Sequence, residues 1–205
     1  MSKYKKQLII GVTGSIAAYR ACDIICRLKE SEISVTAVMT KEAEQFITPL
    51  LLGHISSNPV YTDMFKAPDV WSPEHISLAD KTGLVLIAPA TANIIAKLAN
   101  GICDDLLTCI VMATKAPILI APAMNSNMYA HKATQDNIKR LKSFGYKFIG
   151  PVEGRLACGS IGLGHIASAE DIVRETLASL RGGAKRRRSN LLGCDEIASP
   201  IRDSQ

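Results

Sequence analysis

Four short apolar runs limit the folds that this chain can adopt. They cover residues 8–12, 35–39, 84–88 and 118–121, and a weaker fifth run covers residues 147–149. The four runs are continuously apolar instead of alternating, which is typical of strands that are covered on both faces. The sequence therefore predicts an α/β fold: a doubly wound, Rossmann-like or flavodoxin-like parallel sheet with helices on both faces.

Helical patterns fill the intervals between the apolar runs. The predicted helices cover residues 16–30, 41–52, 92–99, 104–113, 133–144 and 169–180. The last one follows Ser168, a favourable N-cap, with Asp171 at the third helical position. Right-handed crossovers of this kind place ligand sites at the carboxyl ends of the strands. The residues directly after each strand are therefore the candidates for a functional site.

Length and charge bound the organisation of the chain. Its 205 residues suffice for one sizeable core, so we expect one domain over residues 1–182 and a basic, flexible tail or linker remnant over residues 183–205. The formal net charge of +5 is too small to indicate a nucleic-acid partner. The sequence has neither a secretory h-region nor an apolar run of the ~20 residues that cross a membrane. We expect a cytoplasmic protein without a membrane partner.

The six cysteines do not form a recognisable framework. They contain no C-x-x-C pair and no His/Cys spacing typical of zinc, so we expect neither a metal site nor structural disulfides. Cys22 and Cys26 lie one helical turn apart, and we interpret them as small buried side chains in preference to a redox pair.

The turn after the first apolar run suits a phosphate. Gly11 and Gly14 permit a tight turn, Ser15 offers a hydroxyl group, and the amides of Ile16 and Ala17 begin a helix whose positive end attracts an anion. This signal alone leaves open whether a ligand binds there.

The chain lacks parts of two nucleotide-binding motifs, which reduces the number of candidate ligands. The turn lacks the third glycine of G-x-G-x-x-G, and the second strand ends at Thr40 without an acid for a ribose hydroxyl, which disfavours NAD. The lysine of a Walker loop is also missing, which disfavours ATP hydrolysis. A mononucleotide such as FMN, with one phosphate on one helix terminus, fits the remaining features.

The third and fourth strands end alike. Residues 88–93 read Ala-Pro-Ala-Thr-Ala-Asn, and residues 121–125 read Ala-Pro-Ala-Met-Asn. Small residues let a planar ring approach the backbone, and a carboxamide both donates and accepts hydrogen bonds without charge. These features suit a flavin edge or a substrate amide. For Asn93 and Asn125 taken singly, a helix cap is the alternative interpretation.

Four segments together resemble a known family. They are residues 14–17 (Gly-Ser-Ile-Ala), 89–93 (Pro-Ala-Thr-Ala-Asn), 122–129 (Pro-Ala-Met-Asn-Ser-Asn-Met-Tyr) and 157–164 (Ala-Cys-Gly-Ser-Ile-Gly-Leu-Gly). Over about residues 6–180 the chain resembles the flavin-containing cysteine decarboxylases, above all the phosphopantothenoylcysteine decarboxylase domain of bacterial bifunctional coenzyme A biosynthesis proteins. The resemblance implies FMN-dependent decarboxylation of 4′-phosphopantothenoylcysteine to 4′-phosphopantetheine.

The resemblance also implies roles for individual residues. It assigns FMN contacts to Gly14, Ser15, Ile16, Ala17, Thr40, Phe46, Ala90, Thr91 and Asn93, and substrate contacts to Ala123, Met124, Asn125 and Met128. It makes His75, Asn125 and Cys158 catalytic, with Cys158 on a flap that covers the substrate. Family members assemble as trimers, often stacked into dodecamers, and a neighbouring subunit contributes a segment similar to residues 104–107. A phosphopantothenate–cysteine ligase domain or protein is an implied partner.

The implied chemistry accounts for these residue types. Loss of carbon dioxide from a cysteine amide needs an electron sink, which FMN creates by oxidising the thiol to a thioaldehyde. The resulting enethiolate is then protonated and reduced. Cys158 suits the role of acid, because a thiol with a pKa of about 8.5 stays mostly protonated at neutral pH. His75 suits substrate orientation or proton transfer.

The chain departs mildly from the family pattern at four positions. Thr91 and Ile94 replace a serine and a threonine, Tyr129 stands where many members have tryptophan, and His165 stands where arginine often follows the flap glycines. The change at position 165 bears on contact with a substrate phosphate.

Three other functions are compatible with the predicted fold. A decarboxylase of a peptide's C-terminal cysteine and a non-catalytic FMN-binding regulatory protein remain alternatives, whereas a flavin prenyltransferase would not need the 122–128 segment or the Cys158 flap. Mere binding requires none of His75, Asn125 and Cys158, which favours catalysis over regulation.

Overall fold

The computed structural model describes residues 6–65, 74–155, 157, 159 and 161–191. The strands are β1 (Lys6–Val12), β2 (Ile33–Met39), β3 (Val60–Tyr61), β4 (Val85–Ala90), β5 (Ile118–Pro122), β6 (Lys147–Phe148), β7 (Val152–Arg155) and β8 (Ile161–His165). The helices are α1 (Arg20–Glu30), α2 (Pro49–Ser56), α3 (Glu74–Lys81), α4 (Ala92–Asn100), α5 (Leu106–Ala113), α6 (Ser126–Ala130), α7 (Lys132–Ser143) and α8 (Ala169–Leu191). Two 3₁₀ helices cover Ile16–Tyr19 and Ala43–Gln45.

Six strands form one parallel sheet in the order β3-β2-β1-β4-β5-β6. The chain builds outward from β1 to β3, then crosses to the other side of β1 and builds outward again from β4 to β6. This is the strand order of Rossmann folds, and it confirms the predicted doubly wound sheet. The direction of winding reverses between β1 and β4, so the crevice for a ligand lies above these two strands.

Helices cover both faces of the sheet because successive side chains of β1 point to opposite sides. Leu8, Ile10 and Val12 pack in one core with side chains of α1, α2 and α8, whereas Ile9 packs in a second core with side chains of α3, α4, α5 and α7. Each fully buried leucine or isoleucine contributes about 1.5–3 kcal/mol through removal of apolar surface from water. The two cores hold the strand ends of the crevice rigidly in place.

The structure corrects several predicted boundaries. The predicted helix 16–30 begins as a 3₁₀ helix and continues as α1 from Arg20. The predicted helix 41–52 is two elements, because Thr48 and Pro49 begin a new helix, with the Thr48 side chain accepting a hydrogen bond from the amide of Leu51 at 3.2 Å. The last helix extends to Leu191 instead of residue 180.

Five short elements are absent from the predictions. They are β3, the antiparallel β7–β8 hairpin, and the helices α3 and α6. None of the helices in the described ranges is both long and apolar enough to cross a membrane. The division into a domain over 1–182 and a tail over 183–205 stays a prediction.

Candidate active site

Thr13 joins the two strands at which the winding reverses. It directly follows β1, and its buried hydroxyl group donates to the carbonyl oxygen of Pro89 at 2.7 Å and accepts from the amide of Thr91 at 3.1 Å. A buried hydroxyl with both bonds satisfied holds its neighbours in fixed positions. The turn after β1 and the end of β4 therefore form one rigid unit.

The Gly14–Ser15 turn lies against two other strand ends. A Cβ atom at Gly14 would collide with the Cβ atom of Glu42, so only glycine permits this approach to the segment after β2. Ser15 caps the 3₁₀ helix by accepting from the amide of Ala17 at 3.3 Å, and its hydroxyl group lies 3.4 Å from the carbonyl oxygen of Ala123 after β5. The predicted phosphate turn is thus surrounded by the ends of β2, β4 and β5.

Thr40, directly after β2, carries an unusual hydroxyl group. The residue is 7% exposed, and in the described ranges its Oγ1 is a buried side-chain oxygen without a hydrogen-bond partner. An unsatisfied buried hydroxyl costs about 1–3 kcal/mol. Such a group indicates a place where a ligand supplies the missing bond.

The ends of β4 and β5 carry the two predicted asparagines. Thr91, not Asn93, caps α4, since the Thr91 hydroxyl accepts from the amide of Ile94 at 3.3 Å. The exposed Asn93 side chain is therefore not required as a cap. Asn125 does cap a helix, because its Oδ1 accepts from the amide of Asn127 at 2.9 Å at the start of α6. For Asn125 the cap and a ligand contact are compatible, since the carboxamide has several bonding positions.

The β7–β8 hairpin is attached to the segment before Asn125. The amide of Met124 donates to the carbonyl oxygen of Gly164 at 3.0 Å. A Cβ atom at Gly164 would collide with the carbonyl oxygen of Met124, so glycine is needed for this contact.

Two cavities open beside the Gly14–Ser15 turn. The larger one, of about 710 Å³, is lined by Ser15, Ile16, Ala17, Tyr19, Ala123, Met124, Asn125, Arg155, Ala157, Gly164, His165 and Ile166. The smaller one, of about 240 Å³, is lined by Thr13, Gly14, Thr40, Glu42, Thr91, Ala92, Asn93, Ile94, Asp105 and Met128. The larger volume lies within the range of small-molecule sites. The two cavities meet the same turn, because Gly14 lines the smaller one and Ser15 the larger one.

The two cavities differ in charge. The described lining of the larger cavity contains Arg155 and His165 but no carboxylate, whereas the smaller cavity is lined by Glu42 and Asp105. An anionic ligand group is therefore stabilised in the larger cavity and disfavoured in the smaller one.

Lys97 partly neutralises the acidic side of the smaller cavity. Its Nζ lies 2.8 Å from Asp104 Oδ1 and 3.2 Å from Asp105 Oδ2. The hydrogen bond from Lys97 lowers the pKa of the Asp104 carboxyl. Burial alone would lower the pKa of Lys97, but the hydrogen bonds to the two carboxylates outweigh burial and raise it. Asp105 also caps α5, with its Oδ1 accepting from the amide of Thr108 at 2.8 Å.

Comparison with known proteins decides the family. A family profile described as Flavoprotein matches residues 1–181. The chain belongs to the Flavoprotein family. It is 43% identical over 172 residues to a "Probable phosphopantothenoylcysteine decarboxylase" of Streptococcus mutans, and the match covers 83% of this chain and 96% of that protein.

Two further proteins show which members of the family this flavoprotein resembles. It is 44% identical over 185 residues to the "Coenzyme A biosynthesis bifunctional protein CoaBC" of Bacillus subtilis, a match that covers 86% of this chain but 46% of that protein. The chain thus spans less than half the length of this bifunctional relative. A solved structure of a PPC decarboxylase variant complexed with pantothenoylaminoethenethiol superposes with a TM-score of 0.77 at 31% identity, covering 85% of this chain and 97% of that one.

The structure brings most of the predicted site residues together around the two cavities. Ser15, Ile16, Ala17, Ala123, Met124 and Asn125 line the larger one, and Gly14, Thr40, Thr91, Asn93 and Met128 line the smaller one. Met128, a predicted substrate contact, lines the smaller cavity with Asn93. The described part of the flavoprotein contains no cluster of three or more His, Cys, Asp or Glu side chains suited to a metal ion.

Four predicted residues are not among the described lining of these cavities. Ala90 is fully buried, and its carbonyl oxygen accepts from the amide of Ala123 at 3.0 Å, so it joins the ends of β4 and β5. Phe46 is 50% exposed after the second 3₁₀ helix, and His75 lies half-buried in the first turn of α3. Cys158 lies outside the described residues.

Several residues that line the cavities were not predicted from the sequence. Arg155 and Tyr19 contribute to the larger cavity, and Thr13 and Glu42 to the smaller one. Arg155 had a usable signal, since it stands just before the predicted flap. Thr13 was also accessible, because it directly follows an apolar run. Tyr19 and Glu42 had no sequence signal, because their approach to the cavities depends on how the helices pack on the sheet.

Proposed function

We propose that this flavoprotein is an FMN-dependent decarboxylase that converts 4′-phosphopantothenoylcysteine to 4′-phosphopantetheine in coenzyme A biosynthesis. The observation that carries the proposal is the arrangement at the reversal between β1 and β4. A basic cavity that contains Asn125 and a second cavity with the unpartnered Thr40 hydroxyl lie on either side of the Gly14–Ser15 turn. The names of the relatives support the same activity.

The residues present fit FMN. The start of the Ile16–Tyr19 helix, which continues into α1, would hold the phosphate with Ser15 and the amides that follow it. Thr40, Thr91 and Asn93 would meet polar edges of the ring system, and Thr40 would gain the partner that its buried hydroxyl lacks. Bound FMN would supply the two-electron oxidation of the substrate thiol that makes the carboxylate labile.

The part of the larger cavity that is lined by Asn125, Arg155 and His165 would hold the substrate, beside the FMN phosphate at Ser15 to Ala17. Arg155 and His165 would attract its phosphate and carboxylate groups, and the absence of acidic side chains from the described lining avoids repulsion. The Asn125 carboxamide would orient the substrate amide while its Oδ1 keeps the start of α6 in place. The β7–β8 hairpin would limit access of water from one side.

Proton transfer is assigned to the two residues that the resemblance names. Cys158 follows β7 and precedes β8 in the sequence, and this hairpin is bonded to Met124, next to Asn125. We propose Cys158 as the acid that protonates the decarboxylated product, and His75 as the group that orients the substrate or moves a proton.

We further propose that the enzyme is a homo-oligomer, a trimer or a tetramer of trimers, whose sites combine residues of two copies. Two observations support this. His75 and Phe46 are not part of the described lining within one chain, and the Phe46 side chain remains half-exposed. A ligase domain or protein of the same pathway is the proposed functional partner.

Complementation tests the shared site. Neither His75→Ala nor Asn125→Ala should be active alone. Co-expression of the two variants should restore about a quarter of the wild-type activity if copies mix at random and each site uses His75 of one copy and Asn125 of another. Recovery of no activity in mixed oligomers, verified by light scattering, would show that each site lies within one chain.

A direct assay tests the activity. Purified protein reconstituted with FMN is mixed with 4′-phosphopantothenoylcysteine, and the product is followed by mass spectrometry as loss of carbon dioxide. Pantothenoylcysteine, which lacks the phosphate, is the matched control and should react with a lower kcat/KM. Preference for a peptide with a C-terminal cysteine would favour the alternative decarboxylase, and FMN binding without any turnover would favour a regulatory protein.

A further inference from the structure

Two cysteines outside the proposed reaction lie together at the start of α5. Cys103 belongs to the turn after α4, and Cys109 is the fourth residue of α5. The Cys109 Sγ lies 3.6 Å from the carbonyl oxygen of Cys103 and 3.5 Å from the Sδ of Met64. The proximity of Cys103 is also one cause of the raised pKa of the Cys109 thiol. The Cys109 sulfur therefore already contacts the backbone of Cys103 in the reduced protein.

The surroundings give the two thiols different properties. Cys103 is exposed, so that a dissolved oxidant reaches it, whereas Cys109 is half-buried between α5 and Met64. Burial raises the pKa of the Cys109 thiol, and the neighbouring Cys103 and Asp105 raise it further. Cys109 therefore stays protonated and is a poor first target of peroxide, because the thiolate is the reactive form. Cys103 is the accessible first target.

We infer that Cys103 and Cys109 form an oxidation site that closes to an intramolecular disulfide when the protein meets hydrogen peroxide. In the first step the Cys103 sulfur attacks peroxide, takes up one oxygen atom as a sulfenic acid and releases water. In the second step the Cys109 thiol attacks the sulfenic sulfur, the S–S bond forms, and a second water leaves. Peroxide is reduced by two electrons, and the two thiols supply them.

The location of the pair gives the disulfide a structural consequence. It would bridge the turn that contains Asp104 and Asp105, the two carboxylates bonded to Lys97. Asp105 both caps α5 and lines the smaller cavity. Oxidation would therefore fix one wall of the proposed FMN site. Cys22 and Cys26 are a second cysteine pair with which Cys103 and Cys109 can be compared, because they lie on successive turns of the regular helix α1.

Peptide mapping of the FMN-loaded protein tests the inference. The protein is treated with hydrogen peroxide, remaining thiols are alkylated, and the protein is digested with trypsin. Both cysteines lie in one tryptic peptide, residues 98–115. Further cleavage before the aspartates separates them into two fragments, which stay joined only through a disulfide. We expect joined fragments that have lost two hydrogens, and dithiothreitol should separate them.

Variants make the result specific. Cys109→Ser should leave a sulfenic acid on Cys103 that a dimedone probe traps, and Cys103→Ser should abolish the joined fragments. The cross-link should form unchanged in Cys26→Ser and in Cys158→Ser, which removes another target of peroxide. The inference is overturned if the wild-type fragments separate with both sulfurs alkylated or individually oxidised, or if either cysteine pairs with Cys158 or with another copy.

Discussion

The contact between Gly164 and Met124 provides a sharp test of how the hairpin is held over the larger cavity. Substitution Gly164→Ala adds one methyl group at a point where a Cβ atom would collide with the Met124 carbonyl oxygen. The obstacle is backbone, which cannot rotate away as a flexible side chain would. The same two residues share the 3.0 Å hydrogen bond that attaches β8 to the strand-β5 end. The substitution should therefore strain or break this attachment.

The expected cost follows from two contributions. Overpacking by a methyl group costs about 1–3 kcal/mol. Loss of the Met124–Gly164 hydrogen bond costs about 0.5–1.5 kcal/mol. The free energy of unfolding should therefore fall by about 2–4 kcal/mol, which corresponds to a decrease in Tm of roughly 4–16 °C for a protein of this size. The substrate KM should rise as well, because the hairpin carries Arg155 and His165 into the cavity.

Thermal denaturation by circular dichroism measures the effect, at one fixed protein concentration because assembly would also change Tm. Gly182→Ala is the matched control, since a Cβ atom at Gly182 meets nothing within 4 Å and alanine favours the helical conformation of α8. The control should retain or slightly raise Tm. A Gly164→Ala protein with unchanged Tm and unchanged KM would refute the proposed attachment.

Three further predictions concern single side chains. Thr40→Val should raise the stability of the FMN-free protein by about 1–2 kcal/mol, because it removes an unsatisfied buried hydroxyl. It should also weaken FMN binding roughly 2- to 12-fold in a fluorescence titration. Lower stability or unchanged affinity would contradict this prediction. Asn125→Ala should lose decarboxylation activity and about 1 kcal/mol of stability. Asn125→Asp should lose the activity but keep the helix cap. An active Asn125→Asp variant would show that the role of Asn125 is limited to capping. The hydrogen bond from Lys97 lowers the pKa of the Asp104 carboxyl in the folded protein. The ion pair therefore stabilises the fold above the ordinary carboxyl pKa of about 3.9, and this stabilisation disappears as the pH falls through the lower pKa of the folded state. In urea denaturation, the loss of stability in Lys97→Met relative to wild type should be smaller at pH 3 than at pH 6. An equal difference at both pH values would argue against this ion pair.

The sheet was predictable because its strands are buried on both faces. Continuous apolar runs identified β1, β2, β4 and β5, whose side chains fill the two cores. The two-residue strand β3 has too few residues for a periodic signal. The β7–β8 hairpin was missed because its glycines and exposed side chains lack the alternation of a half-buried strand.

The site was predictable to the level of strand ends. Parallel strands bring Ser15, Thr40, Asn93 and Asn125 to one edge of the sheet, so their proximity follows from the topology. Their distribution between two cavities does not, because it depends on the close approach of Gly14 to Glu42. Arg155 stands just before the predicted flap in the sequence, but its position in the larger cavity depends on the tertiary contacts of the hairpin.

A crystal structure of the protein with FMN tests the central claim most directly. We expect flavin density beside the Gly14–Ser15 turn, with the phosphate at Ser15 to Ala17 and a ring atom within hydrogen-bond distance of the Thr40 hydroxyl. Flavin bound elsewhere on the chain, or a Thr40 hydroxyl that remains unpartnered in the complex, would contradict the proposed site.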